Sequence, residues 1–76
     1  MTEQIKARLR NIGQQLTAIR MAKDITQVDL AERLGIGSTY LSKMENGRNS
    51  YTVKLFARWC NELGVQVRVV MEDSKG

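Results

Sequence analysis

Between Gln4 and Ala22 the apolar residues Ile5, Leu9, Ile12, Leu16 and Ile19 fall four, three, four and three positions apart, which stacks them on one helical face. The spacing predicts a first helix over about 4–22. Gly13 lies inside it, where glycine costs about 1 kcal/mol relative to alanine. Either a neighbouring helix comes close there or the first turns form a separable extension. Thr26 stands before Gln27–Leu34, where its hydroxyl can cap the first N–H groups of a second helix, and Asp29 adds negative charge near that helix start. Gly35 supplies the left-handed residue that ends this helix. Ile36, Gly37 and Ser38 lead into a third helix over 38–46, closed by Gly47. Leu41 and Met44 share one of its faces, while Thr39, Ser42, Lys43 and Asn46 lie largely on another. Arg48 to Tyr51 reads as an exposed loop. Thr52 then caps a fourth helix over 53–63, with Val53, Phe56, Ala57, Cys60 and Leu63 as its expected buried stripe and Trp59 beside it as a core or dimer-seam aromatic.

After Gly64 the period changes to two. Val65, Val67, Val69 and Met71 alternate with Gln66, Arg68, Val70 and Glu72, which predicts a strand over 65–72. No second strand pattern exists in the sequence to satisfy its backbone groups. Pairing with the same strand of a second copy would do so through a twofold axis, making Val65, Val67, Val69 and Met71 the candidate dimerisation residues.

Composition narrows the picture. With 76 residues the sequence reads as one domain over 1–76, and 42% hydrophobic with 26% charged residues is the balance of an ordinary globular chain. The absence of Pro and the Gly and Asn breaks favour a compact helical bundle. The expected fold is therefore all-α, four to five helices with a short C-terminal β-strand. A formal charge of +4 suits a polyanionic partner, although charge alone is equally a solvated basic face. The single Cys60 cannot form an intramolecular disulfide and reads as a core residue. No leader and no apolar run of membrane-spanning length is visible, so the expected location is cytoplasmic, with no membrane partner. With no His and no cysteine cluster, zinc lacks its usual ligands, and no cofactor is expected. An enzyme is disfavoured too, because no nucleophile, base or paired carboxylates stand out. Glu3, Asp24, Asp29, Glu32 and Glu62 read as helix-start and solvated charges.

Two short helices joined by a glycine turn match a helix-turn-helix unit, whose second helix enters the major groove. The run Thr26-Gln27-Val28-Asp29-Leu30-Ala31-Glu32-Arg33-Leu34-Gly35-Ile36, followed by Tyr40-Leu41-Ser42-Lys43-Met44-Glu45-Asn46-Gly47-Arg48, resembles the XRE, or Cro/CI-like, family of phage and bacterial repressors. The resemblance covers about Asn11 to Val65 and implies a lambda-repressor-like bundle. In that frame Ala31 is small where two helices nearly touch, and Leu34, Ile36, Leu41 and Met44 lock the helix pair together. Leu55 or Phe56 closes the core with Leu63.

The resemblance also implies a homodimeric repressor on a palindromic operator in double-stranded DNA. Ser38, Thr39 and Lys43 would face base edges, with Ser42 near thymine methyls or the backbone; Lys43 suits the guanine acceptors. Gln27, at the positive end of the second helix, would meet phosphate, as would Tyr40, Asn46, Arg48 and Asn49. Many relatives carry a capping Ser or Thr where this sequence has Gly37, which loosens the helix start or lets the backbone approach the DNA. Arg20 and Glu45 occupy positions of a structural ion pair. The terminal strand is similar to that of antitoxin repressors of the HipB kind, which leaves a toxin or another regulatory protein as an alternative partner. Phage repressor and restriction-system controller also stay open.

Overall fold

Three threonines set the starts of three helices in the computed structural model, which describes residues 2–68. The Oγ1 of Thr2 accepts the Ile5 N–H at 3.2 Å and opens α1, Glu3–Ala22. Thr26 accepts the Asp29 N–H at 3.0 Å and opens α2, Gln27–Leu34. Thr52 accepts the Leu55 N–H at 3.0 Å and opens α4, Val53–Glu62. Each hydroxyl satisfies a donor that the first helical turn cannot. The third helix, α3, Ser38–Glu45, has Gly37 as its N-cap and no side-chain cap.

The stops are equally local. Gly35 takes φ 69° and Gly47 φ 70°, both left-handed, and their N–H groups close back on Glu32 O and Met44 O at 3.1 Å. Asp24, between α1 and α2, is the non-glycine residue with positive φ among the described residues, 56°, a conformation a short carboxylate side chain tolerates.

Leu30, Leu34, Leu41, Met44, Trp59 and Leu63 are the largest fully buried side chains, with Ala31, Leu16 and Cys60 around them. They are supplied by all four helices: α2 packs on α3 and α4, while α1 packs on α3. Gly13 and Gly47 permit the last of these contacts. A Cβ built on Gly13 would run into the Glu45 carbonyl and lie 2.8 Å from Met44 O. One on Gly47 would lie 2.5 Å from the backbone of Arg10. Thus α1 crosses the C-terminal end of α3 almost backbone to backbone, and of the two readings of Gly13 the close approach is the observed one.

The expected stripe of α4 is turned away from the observed one. Val53 is 84% exposed and Ala57 is also exposed, whereas Trp59 is completely buried at the centre of the core. Tyr51 stands edge-on to its indole with ring centroids 5.5 Å apart and stacks on Phe56 at 6.0 Å. The indole N–H has no acceptor among the described residues, so Trp59 contributes through packing. Leu55 and Phe56 are half-buried, and Cys60 and Leu63 are buried as expected. Burial pushes the Cys60 thiol up from its ordinary value, which keeps it protonated at neutral pH and unreactive. At the far end of α1, Ile5 is 49% exposed rather than part of the core.

Beyond Gly64, Val65 donates its N–H to Cys60 O at 2.9 Å and packs against the core edge. No strand occurs among the described residues, and Val65 to Arg68 follow α4 without a ladder partner. The rest of the expected strand, including Val69 and Met71, lies outside the described residues.

Candidate nucleic-acid interface

The residues of α3 divide cleanly by side. Leu41, Met44 and Glu45 are buried against α1, α2 and the core, which fixes the helix rotationally. Helical geometry then turns Thr39 and Lys43 outward with Ser42 and Ser38 along their flank, since residues three and four apart are neighbours on a helix surface. Thr39 and Lys43 are exposed, and Ser38 and Ser42 are half-buried. Tyr40 is 40% exposed at the flank of this face. Short hydroxyls beside one ammonium make a surface that can donate and accept in a groove and is small enough to enter it.

The position of α3 is held by a buried charged network. Arg20 donates through Nε to Glu45 Oε2 at 2.8 Å and through Nη2 to Oε1 at 3.3 Å, a two-point grip. Its Nη1 donates to Ile25 O at 2.7 Å, tying the α1–α2 turn to the same centre. The carboxylate side chain is 5% exposed and the guanidinium side chain 11%. Gln27 completes the network, its Nε2 donating to Glu45 Oε1 at 2.9 Å. The resemblance anticipated the Arg20–Glu45 pair but not this role for Gln27. One of its two amide hydrogens is committed to Glu45.

Asn46 has a double role of the same kind. Its Nδ2 donates to Ser42 O at 2.9 Å, a second bond to a carbonyl that already accepts the Asn46 N–H at 3.0 Å. The Arg48 N–H then closes on Lys43 O at 2.8 Å, so the α3–α4 loop leaves the helix in a fixed direction with the Arg48 side chain exposed and Asn49 half-buried. Asn46 lines two clefts. One is shared with Gln14, Gln27 and Glu45, the other, of about 470 Å³, with Lys6, Arg10, Gly47 and Arg48. The hydrophobic pattern of α1 left Lys6 and Arg10 unassigned. Their i, i+4 spacing puts them on one face, but only the crossing at Gly47 shows which element that face meets.

A short capped helix, a left-handed glycine turn and a second helix with a polar outer face define a helix-turn-helix module. The helix-turn-helix family model matches residues 16–70, and the chain belongs to that family, in the XRE-type group its wording resembles. It is 32% identical over 60 residues to an immunity repressor protein of Bacillus phage phi105, covering 79% of this chain and 42% of that one. It is 35% identical over 63 residues to the antitoxin PezA of Streptococcus pneumoniae serotype 4, covering 82% and 40% respectively. The chain thus spans about two fifths of the length of these two relatives. Among solved structures it resembles the clp gene regulator ClgR of Corynebacterium glutamicum, with TM-score 0.73 and 34% identity over 76% of this chain and 74% of that one. It also resembles the restriction-modification controller protein C.AhdI of Aeromonas hydrophila, with TM-score 0.74 and 26% identity over 80% and 88%.

Proposed function

We propose that this chain is a sequence-specific, double-stranded DNA-binding transcriptional regulator that acts as a homodimeric repressor on a palindromic operator. The observation that carries this reading is α3 itself, locked by its buried face and by Arg20–Glu45, with Thr39 and Lys43 exposed and Ser38 and Ser42 half-buried beside them. Lys43 reads guanine acceptors and the three hydroxyls read adjoining base edges. Gln27, Tyr40, Asn46, Arg48 and Asn49 hold the sugar-phosphate track and set the register. The net charge of +4 favours the encounter.

Dimerisation rests on the segment after α4. Val67 is 48% exposed beside a shallow apolar groove that includes Ile12, Ile19 and Phe56, which a second copy of the same segment would cover. Val65, Val67, Val69 and Met71 form that seam, and each protomer reads one half-site about one helical turn, roughly 34 Å, from the other. The likeness to an antitoxin supports a second reading, in which the chain also neutralises a partner protein.

Selection from a pool of random duplexes across a salt series tests the proposal. A palindrome with one-turn spacing, weakened at least tenfold by Lys43→Ala, is the expected result. Featureless binding abolished by modest salt would sink the repressor reading. Capture of one protein partner undisturbed by Lys43→Glu would favour the antitoxin reading.

A further inference from the structure

The cleft between the first turns of α1 and the end of α3 holds three cations. Lys6 and Arg10 approach from α1 and Arg48 from the α3–α4 loop, with Asn46 and Gly47 between them. All three cationic residues are exposed. Lys6 lies 3.7 Å from Glu3 Oε1, but both side chains are largely in water, where such a pair contributes little and is readily exchanged for another anion. Neither Arg10 nor Arg48 has a carboxylate partner among the described residues.

Holding like charges together is unfavourable unless an anion sits between them. Here the backbone enforces it. Gly47 abuts Arg10 so closely that a Cβ would lie 2.5 Å from the Arg10 N and Cα, so the backbones that carry the Arg10 and Arg48 side chains are held close together. The cleft also continues a track already assigned to phosphate. Asn46 belongs to it and to the cleft that contains Gln27, so the cleft of Lys6, Arg10 and Arg48 adjoins that of Gln27 at Asn46.

We infer that Lys6 and Arg10, with Arg48, form a phosphate-binding cleft that grips the DNA backbone beyond the bases read by α3. The inference rests on the DNA-binding reading above and extends it. The exposed first turns of α1 are then a lever that reaches the flanking duplex. They add affinity and salt dependence without adding base preference, because phosphates are the same at every step.

The test uses the duplex recovered by the selection above, in one form with a helical turn of flank on each side and in another trimmed to the half-sites. Lys6→Ala/Arg10→Ala is compared with the native chain and with Arg8→Ala, a cation of the same helix that lines a different cleft. Each lost phosphate contact lowers the slope of log K against log salt by about 0.9, so the double variant should lose about 2 per protomer. On the long duplex its affinity at low salt should fall ten- to a hundredfold, with the selected sequence unchanged, and on the trimmed duplex the two proteins should converge. Thermal unfolding of the free variant should match the native chain, since both side chains are exposed.

An unchanged slope on the long duplex while Lys43→Ala still weakens binding overturns this inference and leaves the DNA reading intact. An equal loss with Arg8→Ala overturns it as well, because the effect is then overall charge. Loss of binding to polyglutamate without loss on duplex reassigns the cleft to an acidic protein segment. A native chain that binds no duplex removes both readings together.

Discussion

Gly37 opens α3 with φ −75° and ψ 150°, a conformation every residue adopts, and a Cβ there meets no atom within 4 Å. Neither sterics nor backbone strain therefore requires glycine, and the N–H groups at the start of α3 lack the hydroxyl that Thr26 and Thr52 provide elsewhere. Gly37→Ser should stabilise the fold by a few tenths of a kcal/mol, read as a small rise in melting temperature. A fall would show that Ser38 and its neighbours already satisfy the helix start. At Arg20 and Glu45 the magnitudes are larger. Removing one partner leaves an uncompensated buried charge, which costs about 3–5 kcal/mol, whereas replacing both with apolar residues of similar volume is often neutral. Arg20→Met and Glu45→Leu should each destabilise strongly, and the double variant should be more stable than either. DNA binding lost in the single variants should return in the double one below its melting temperature, because neither side chain is assigned a contact with DNA. If the double variant folds normally and still fails to bind, the pair serves recognition beyond stability, either directly or by positioning Gln27, whose Nε2 donates to Glu45.

Gly13 belongs to the scale of helices. Alanine is the better helix former by about 1 kcal/mol, so propensity alone predicts that Gly13→Ala stabilises α1. The crossing with α3 predicts the reverse, since the new methyl would run into backbone carbonyl atoms of Met44 and Glu45, which cannot swing aside as a flexible side chain would. Gly13→Ala should destabilise by about 2–3 kcal/mol and uncouple α1 from α3, measured by chemical denaturation. A gain in stability would mean that α1 can draw back from α3 at no cost to the core. What the sequence makes legible follows the same division between local and tertiary causes. Starts and stops are written locally: Thr26 and Gly35 bracket α2, and Thr52 opens α4, so those boundaries can be read directly. The outward face of α3 is legible because Leu41 and Met44 leave little choice of the inward one. The stripe of α4 is not, because Val53 and Ala57 flank the phase of Cys60 on one side as Phe56 and Leu63 do on the other, while Trp59, next to Cys60 in sequence, lies about 100° away around the helix. The buried face is the one that takes the indole, which is 0% exposed in the core. Ile5 extends the periodicity of α1, but at 49% exposure it is not covered by another helix among the described residues.

For the whole molecule the decisive quantity is what the four helices of the described residues can bury alone. Domains of this size are marginal, and binding of a second copy stabilises the folded state by mass action. Of the two described seam residues, Val65 already packs on the core and ties its N–H to Cys60 O, so changing it would damage the protomer. Val67 is 48% exposed and can be altered without loss to the fold. On the proposed seam, Val67→Glu would place two carboxylates near the twofold axis, and it should convert a dimer to monomer in sedimentation experiments. The melting temperature of the native chain should rise with protein concentration, and that dependence should vanish in the variant. Binding to the palindrome should drop by at least tenfold, while binding to a single half-site should stay within about twofold, because α3 and its network are untouched and only the linkage between the two reading heads is lost. A native chain that sediments as a monomer at every concentration, with a melting temperature independent of dilution, would remove the seam and leave each protomer to read its half-site alone.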